Sequence, residues 1–115
     1  MRTPSIFVDD GYWLPGEVAE MPGLHPGLRF DYRPVTGPER RAYLAMGSDA
    51  AAAFLLDRAR QFLPTVRGVP QGQPLTLAVE QAKRLHANLY NGIADFVLGF
   101  SGPSQQDREK NSSAE

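Results

Sequence analysis

The first third of the chain is broken into short apolar runs by Pro4, Pro15, Pro22, Pro26, Pro34 and Pro38. That spacing forbids a long helix and favours strands joined by turns. Residues Ser5–Val8 and Tyr12–Leu14 are predicted to pair as a hairpin. The turn would be Asp10-Gly11, because glycine readily takes the positive φ such turns need. Leu28–Arg33 alternates apolar and polar, with Leu28, Phe30 and Tyr32 on one face, and is predicted as a strand. Thr36-Gly37-Pro38-Glu39 has the form of a capping box, so a helix is expected over about 37–46. Ser48 would cap a second, alanine-rich helix from Asp49 to about Leu63, unless 37–63 is one kinked helix; Pro64 closes the segment. Residues 64–75 read as a loop, with Thr65-Val66-Arg67 as a short extended piece. Thr76 is a plausible cap for a last helix over Leu77–Phe100.

On a helical wheel, Ala82, Leu85, Leu89, Ile93, Phe96, Val97 and Phe100 share one face of that last helix. Arg84, Asn88, Asn91 and Asp95 line the opposite face. His86 and Tyr90 fall at the border, where a ring can be buried and its polar tip kept in water. Leu98 lies toward the polar side, near Ala87 and Ala94. With Tyr90 it would widen the apolar stripe beyond what one small core needs, which points to a partner. Tyr90, Ile93, Val97, Leu98 and Phe100 are the candidate partner-binding residues.

These elements predict an α+β fold. A small N-terminal antiparallel hairpin or sheet would pack against about three helices, the last long and amphipathic. Residues 1–100 would form a single globular domain. Residues 101–115 have no large apolar side chain and are expected to be a disordered polar tail. The 115-residue length suits one domain, and 42% hydrophobic with 22% charged residues is a globular composition. No apolar run reaches the length of a membrane span, and the N-terminus lacks a signal-peptide core, so the cytoplasm is the expected location.

With no cysteine, disulfides, a thiol nucleophile and thiolate metal sites are excluded. The net charge is −1, and setting the tail aside leaves ten acids against ten bases. Such a body lacks the positive surplus that dominates nucleic-acid affinity. Arg40, Arg41, Arg58 and Arg60 are the one candidate basic patch. A metal-ligating or basic role for His86 would need a partner, and the only other histidine, His25, sits in a proline-glycine loop. No HxxxH or HxH spacing exists. Asp9-Asp10 starts like a cation loop, but a third ligand does not follow at the right spacing. Ser101 and Ser104 have no convincing histidine partner, and the glycines form neither a GxGxxG nor a phosphate loop. The expectation is a non-enzyme with no catalytic residues, no metal and no cofactor.

The order of these features resembles the small tail-assembly chaperones and related accessory proteins of tailed bacteriophages and prophages. The resemblance spans about residues 28–110. It rests on the strand FDYRP, the helix start Thr36-Gly-Pro-Glu39 with Arg40 and Arg41, and the segment PLTLAVEQAKRLHANLYNGIADFVLGF followed by GPS and a charged tail. Thr76, Leu85, Leu89, Ile93, Val97 and Gly99 carry the family's closing-helix pattern. The loop before it reads TVRGVPQGQ, where the family carries a tryptophan-aspartate pair. The resemblance implies a non-enzymatic virion-assembly role in the cytoplasm of a bacterial host. Its partners would be the tape-measure protein and the tail-tube protein, with self-association also open. Many such chaperones have a longer form made by a minus-one frameshift, and Glu109-Lys110-Asn111 is encodable as the slippery GAA AAA AAC. A structural head–tail or tail component, and a small nucleic-acid-binding regulator using the four arginines, are the alternative readings.

Overall fold

The structure, a computed structural model, describes residues 6–8 and 12–102. Four strands, β1 (Leu14–Val18), β2 (Gly27–Tyr32), β3 (Ala59–Val66) and β4 (Val69–Pro70), form one antiparallel sheet in chain order. Helices α1 (Gly37–Leu44) and α2 (Ser48–Arg58) lie between β2 and β3; α3 (Val79–Ala82) and α4 (Ala87–Val97) follow the sheet. The fold is α+β, as the sequence pattern predicts, but its sheet is larger than a front hairpin.

The alternation in β2 places Leu28, Phe30 and Tyr32 in the core. Phe30 is the hub. Its ring meets Phe96 of α4 edge-on at 5.5 Å, and Phe62 of β3 and its strand neighbour Tyr32 lie 6.1 and 6.3 Å away. Aromatic pairs at such separations add to the apolar burial that closes the sheet against the helix. Gly16 faces Phe30 in register, and a Cβ there would lie 2.6 Å from the Phe30 ring. A smooth face on β1 thus leaves room for the Phe30 ring.

The predicted hairpin is corrected. Residues 6–8, 12 and 13 are not in strands, and the first strand begins at Leu14 and pairs with β2. The Asp10-Gly11 turn, and with it Asp9, lies outside the described residues. The capping box is present as read: Thr36 Oγ1 accepts from the Glu39 N–H at 3.3 Å, and the Thr36 N–H donates to Glu39 Oε1 at 2.9 Å. Residues 37–58 form two helices, not one.

The second helix stops at Arg58 and not near Leu63, and Gly47 precedes it without a side-chain cap. Ala59–Val66 is instead a central strand. Its pairing with β2 shifts register between Arg29 and Asp31, and Gln61 there takes a φ of +58°. This is a β-bulge. It puts Ala59 and Phe62, three residues apart, on the same buried face, while Thr65 is buried on the other face opposite Gly27. Thr65-Val66, read as an isolated extended piece, is the end of this strand. Arg67 and Gly68 turn into β4, both with positive φ (52° and 77°), as a two-residue hairpin turn requires.

The last helix is also corrected. Both halves touch α2, but only α4 also packs on the sheet, against β1 and β2. The chain breaks between Ala82 and Ala87 to change direction, and Thr76 is not a cap. The Ala78 N–H is met instead by Gln81 Oε1 at 2.8 Å. At its far end α4 closes in a Schellman motif. Gly99 has a φ of +89°, its N–H reaches the Phe96 carbonyl, and the Phe100 N–H reaches that of Asp95. Residues 103–115, most of the expected tail and Ser104 with it, lie outside the described residues. Among the described residues, no helix is long and apolar enough to cross a membrane.

Candidate binding groove

The break between α3 and α4 opens a concavity on the surface. A groove of about 500 Å³ opens between the start of α2 and the α3–α4 turn, lined by Tyr43, Ser48, Ala51, Lys83, Leu85, Ala87, Tyr90 and Asn91. Leu85 reaches it only because the turn lifts it off a continuous helix. One wall is a tyrosine pair. Tyr43 and Tyr90 line it together, and the Tyr43 ring packs on Phe54 at 5.5 Å. Burial, then the neighbouring Tyr90, pushes the Tyr43 hydroxyl up to about 12. At neutral pH it is therefore a hydrogen-bond donor, not a base.

Across the mouth, Lys83 is ion-paired with Asp49, which ties α3 to α2, and lies 3.6 Å from Glu80. The hydrogen bond to Asp49, first among the causes, raises the Lys83 ammonium above its ordinary value. The groove is thus apolar at its floor, amphipathic on one wall and charged at its rim.

The candidate partner-binding residues divide. Tyr90 is half-buried on the groove wall, and Phe100 is 63% exposed beside Arg40. Ile93, Val97 and Leu98 do not form a partner surface: all three are buried in the chain's own core. Leu98 stays on the helical ladder, its N–H donating to the Ala94 carbonyl at 2.8 Å, and it is buried together with Ala94, so the buried face of α4 extends onto the side the wheel counts as polar.

The four arginines do not converge into a basic patch. Arg40 donates to the Leu98 carbonyl at 2.9 Å, neutralising the C-terminal end of α4, and stacks on Phe100. Arg58 pairs with Glu39 at 2.7 Å and Asp57 at 2.8 Å, over the Phe54 ring. Arg60 lies 3.9 Å from the centre of the Trp13 ring, which Arg33 also approaches at 5.0 Å. Arg41 is exposed on α1. Three of the four guanidiniums are therefore engaged by the fold itself.

The Thr36 backbone N–H, then Arg58, hold the Glu39 carboxyl below its usual range. Among the described residues, no three His, Cys, Asp or Glu side chains gather as metal ligands. His86 is corrected from a border residue inside a helix to the N-cap of α4, with an exposed side chain. The structure brings it against His25, ring to ring at 5.3 Å, a contact between positions far apart in the chain that no local spacing signals.

No family model, curated protein or solved structure matches this chain.

Proposed function

We propose that the chain is a non-enzymatic virion-assembly protein of a tailed phage or prophage, a tail assembly chaperone that holds apolar helical segments of the tape-measure protein. The observation that carries this reading is the groove at Tyr43 and Tyr90. Its open shape and apolar floor suit a few side chains of an amphipathic helix, while the tyrosine hydroxyls and Lys83 can meet the helix's polar flank. Its modest size suits weak, exchangeable contacts. A chaperone that many copies load onto one long partner, and that tube subunits then displace, needs contacts of that kind. The order of motifs from the FDYRP strand to the Gly99 helix end supports the same reading. The expected place of action is the cytoplasm of the bacterial host.

The gene provides an independent test. Codons 109–111 are expected to read GAA AAA AAC, with the minus-one frame open for many tens of codons beyond. Non-slippery codons with an immediate stop in that frame would remove the frameshift support. Co-purification of the tape-measure protein with tagged chain, weakened by Ala87→Trp, tests the binding role itself. Ala87 is exposed and lines the groove, so the indole fills it without entering the core.

A further inference from the structure

The loop between β1 and β2 closes on itself at Met21 and His25, whose backbones exchange two hydrogen bonds of 3.0 Å. This fixes the His25 side chain, which is only 6% exposed. Its Nδ1 lies 2.8 Å from the Pro26 carbonyl oxygen. A carbonyl can only accept, so Nδ1 carries the proton and Nε2 carries the lone pair. Nε2 is shielded from water and has no hydrogen-bond partner. An orphaned buried acceptor of this kind costs stability and calls for an explanation.

The surroundings supply one. The His86 ring lies beside His25 with centroids 5.3 Å apart and planes tilted by 40°. It belongs to the N-cap of α4 but makes no capping hydrogen bond. On the first turn of the same helix, Asn88 Nδ2 lies 3.6 Å from Met21 Sδ, so the thioether rests against that turn. Met21 is 44% exposed.

We propose that His25 Nε2, the His86 imidazole and the Met21 thioether form a binding site for a soft metal ion, monovalent copper. An imidazole nitrogen about 2 Å from a metal puts the ring centre about 3.2 Å away, so two rings sharing one ion at tetrahedral or trigonal angles lie roughly 5–5.5 Å apart. The observed 5.3 Å is that separation. The proton on Nδ1, held by the Pro26 carbonyl, fixes the ligating tautomer as the outer hydrogen bond of a metal-bound histidine does.

The donor set selects the ion. Two imidazoles and a thioether favour copper(I) over harder cations. The nearest acid in sequence, Glu20, is taken up by the Arg67 N–H, and the chain has no cysteine to compete. Loading requires the exposed His86 ring to lift from Nε2 and close again over the ion.

The test is an anaerobic titration of the whole chain with copper(I) against a chromophoric copper(I) chelator. One ion per chain is expected, with His86→Ala and Met21→Leu each weakening binding by at least about tenfold. Both positions are exposed, so the variants keep the fold, which circular dichroism checks. In the wild type, the ¹⁵N shift of His25 Nε2 should move on loading while Nδ1 stays protonated. Zinc(II), measured in parallel, should bind more weakly and be indifferent to Met21→Leu. Failure to draw copper from the chelator would overturn the proposal. So would copper binding untouched by both substitutions, or an unmoved His25 Nε2 resonance.

Discussion

Gly92→Ala sets two effects of opposite sign against each other. Gly92 lies in the middle of α4, where the helix crosses β1. An added Cβ would sit 2.4 Å from Val18 Cγ2, 3.2 Å from Cγ1 and 3.3 Å from Cβ. Carbon atoms pack at about 3.5–4.0 Å, so the closest overlap exceeds an ångström. Val18 is β-branched and stiff at χ1, so rotation exchanges one methyl for another without clearing the space. Relief requires α4 to back away from the sheet, carrying Ile93, Phe96 and Val97 with it. Overpacking of this kind costs about 1–3 kcal/mol. Against it, alanine gains up to about 1 kcal/mol over glycine in a helix interior. The net expectation is a loss of about 1–2 kcal/mol. Urea unfolding would read it as a midpoint lowered by roughly 0.5–1 M at unchanged slope. Val18→Ala in the same background should recover part of the loss, a coupling a double-mutant cycle measures. A Gly92→Ala protein as stable as the parent, or more so, would refute the close approach of α4 to β1.

Three further outcomes follow from local geometry. Gln61 holds a φ of +58° at the bulge and is exposed, so Gln61→Gly should leave stability unchanged or raise it. Gln61→Val should lower it by about 1 kcal/mol in the same urea assay, because a β-branched residue resists that conformation. The lowered Glu39 carboxyl contributes stability that is present above the ordinary carboxylate range and lost as pH falls through its folded value. Glu39→Gln should flatten acid denaturation in that window, with a cost near neutrality of only about 0.5 kcal/mol for so exposed a pair. The raised Tyr43 hydroxyl works in the opposite sense: its contribution is complete below pH 10 and lost as pH rises through about 12. An ultraviolet titration should show a tyrosine ionising near pH 12 whose contribution is lost in Tyr43→Phe.

The legible parts of the fold are those whose side chains act locally. The Thr36–Glu39 box and the alternation Leu28, Phe30, Tyr32 declare α1 and β2 because each pattern is complete within one element. Strand β3 is hidden for a specific reason. The bulge at Gln61 resets the pleat between Ala59 and Phe62, and Thr65 is buried on the other face opposite Gly27, so the three buried residues fall three apart. That is the spacing of a helix face, and it follows directly on an alanine-rich helix. The last helix misleads in the converse way. Its apolar face is continuous in the sequence, but Ala82 packs in the half that meets α2, while Leu89 and Ile93 pack in the half that also meets the sheet. Only tertiary packing reveals the break, and with it the groove. Tyr90 was legible as an amphipathic border residue; Tyr43, Leu85 and Lys83 were not, because the groove joins three separate segments. The His25–His86 contact likewise exists only once the β1–β2 loop folds onto the start of α4.

The measurement that tests the central claim most directly is a fluorescence-anisotropy titration. Labelled apolar helical peptides from a tailed-phage tape-measure protein, the partner proposed above, would be titrated with the wild type, Ala87→Trp and Asn91→Arg. Saturable binding by the wild type is expected, falling at least about tenfold, or about 1.4 kcal/mol, when either substitution obstructs the groove. Wild-type protein that binds none of the peptides, or binds them equally well with the groove filled, would contradict the proposed role.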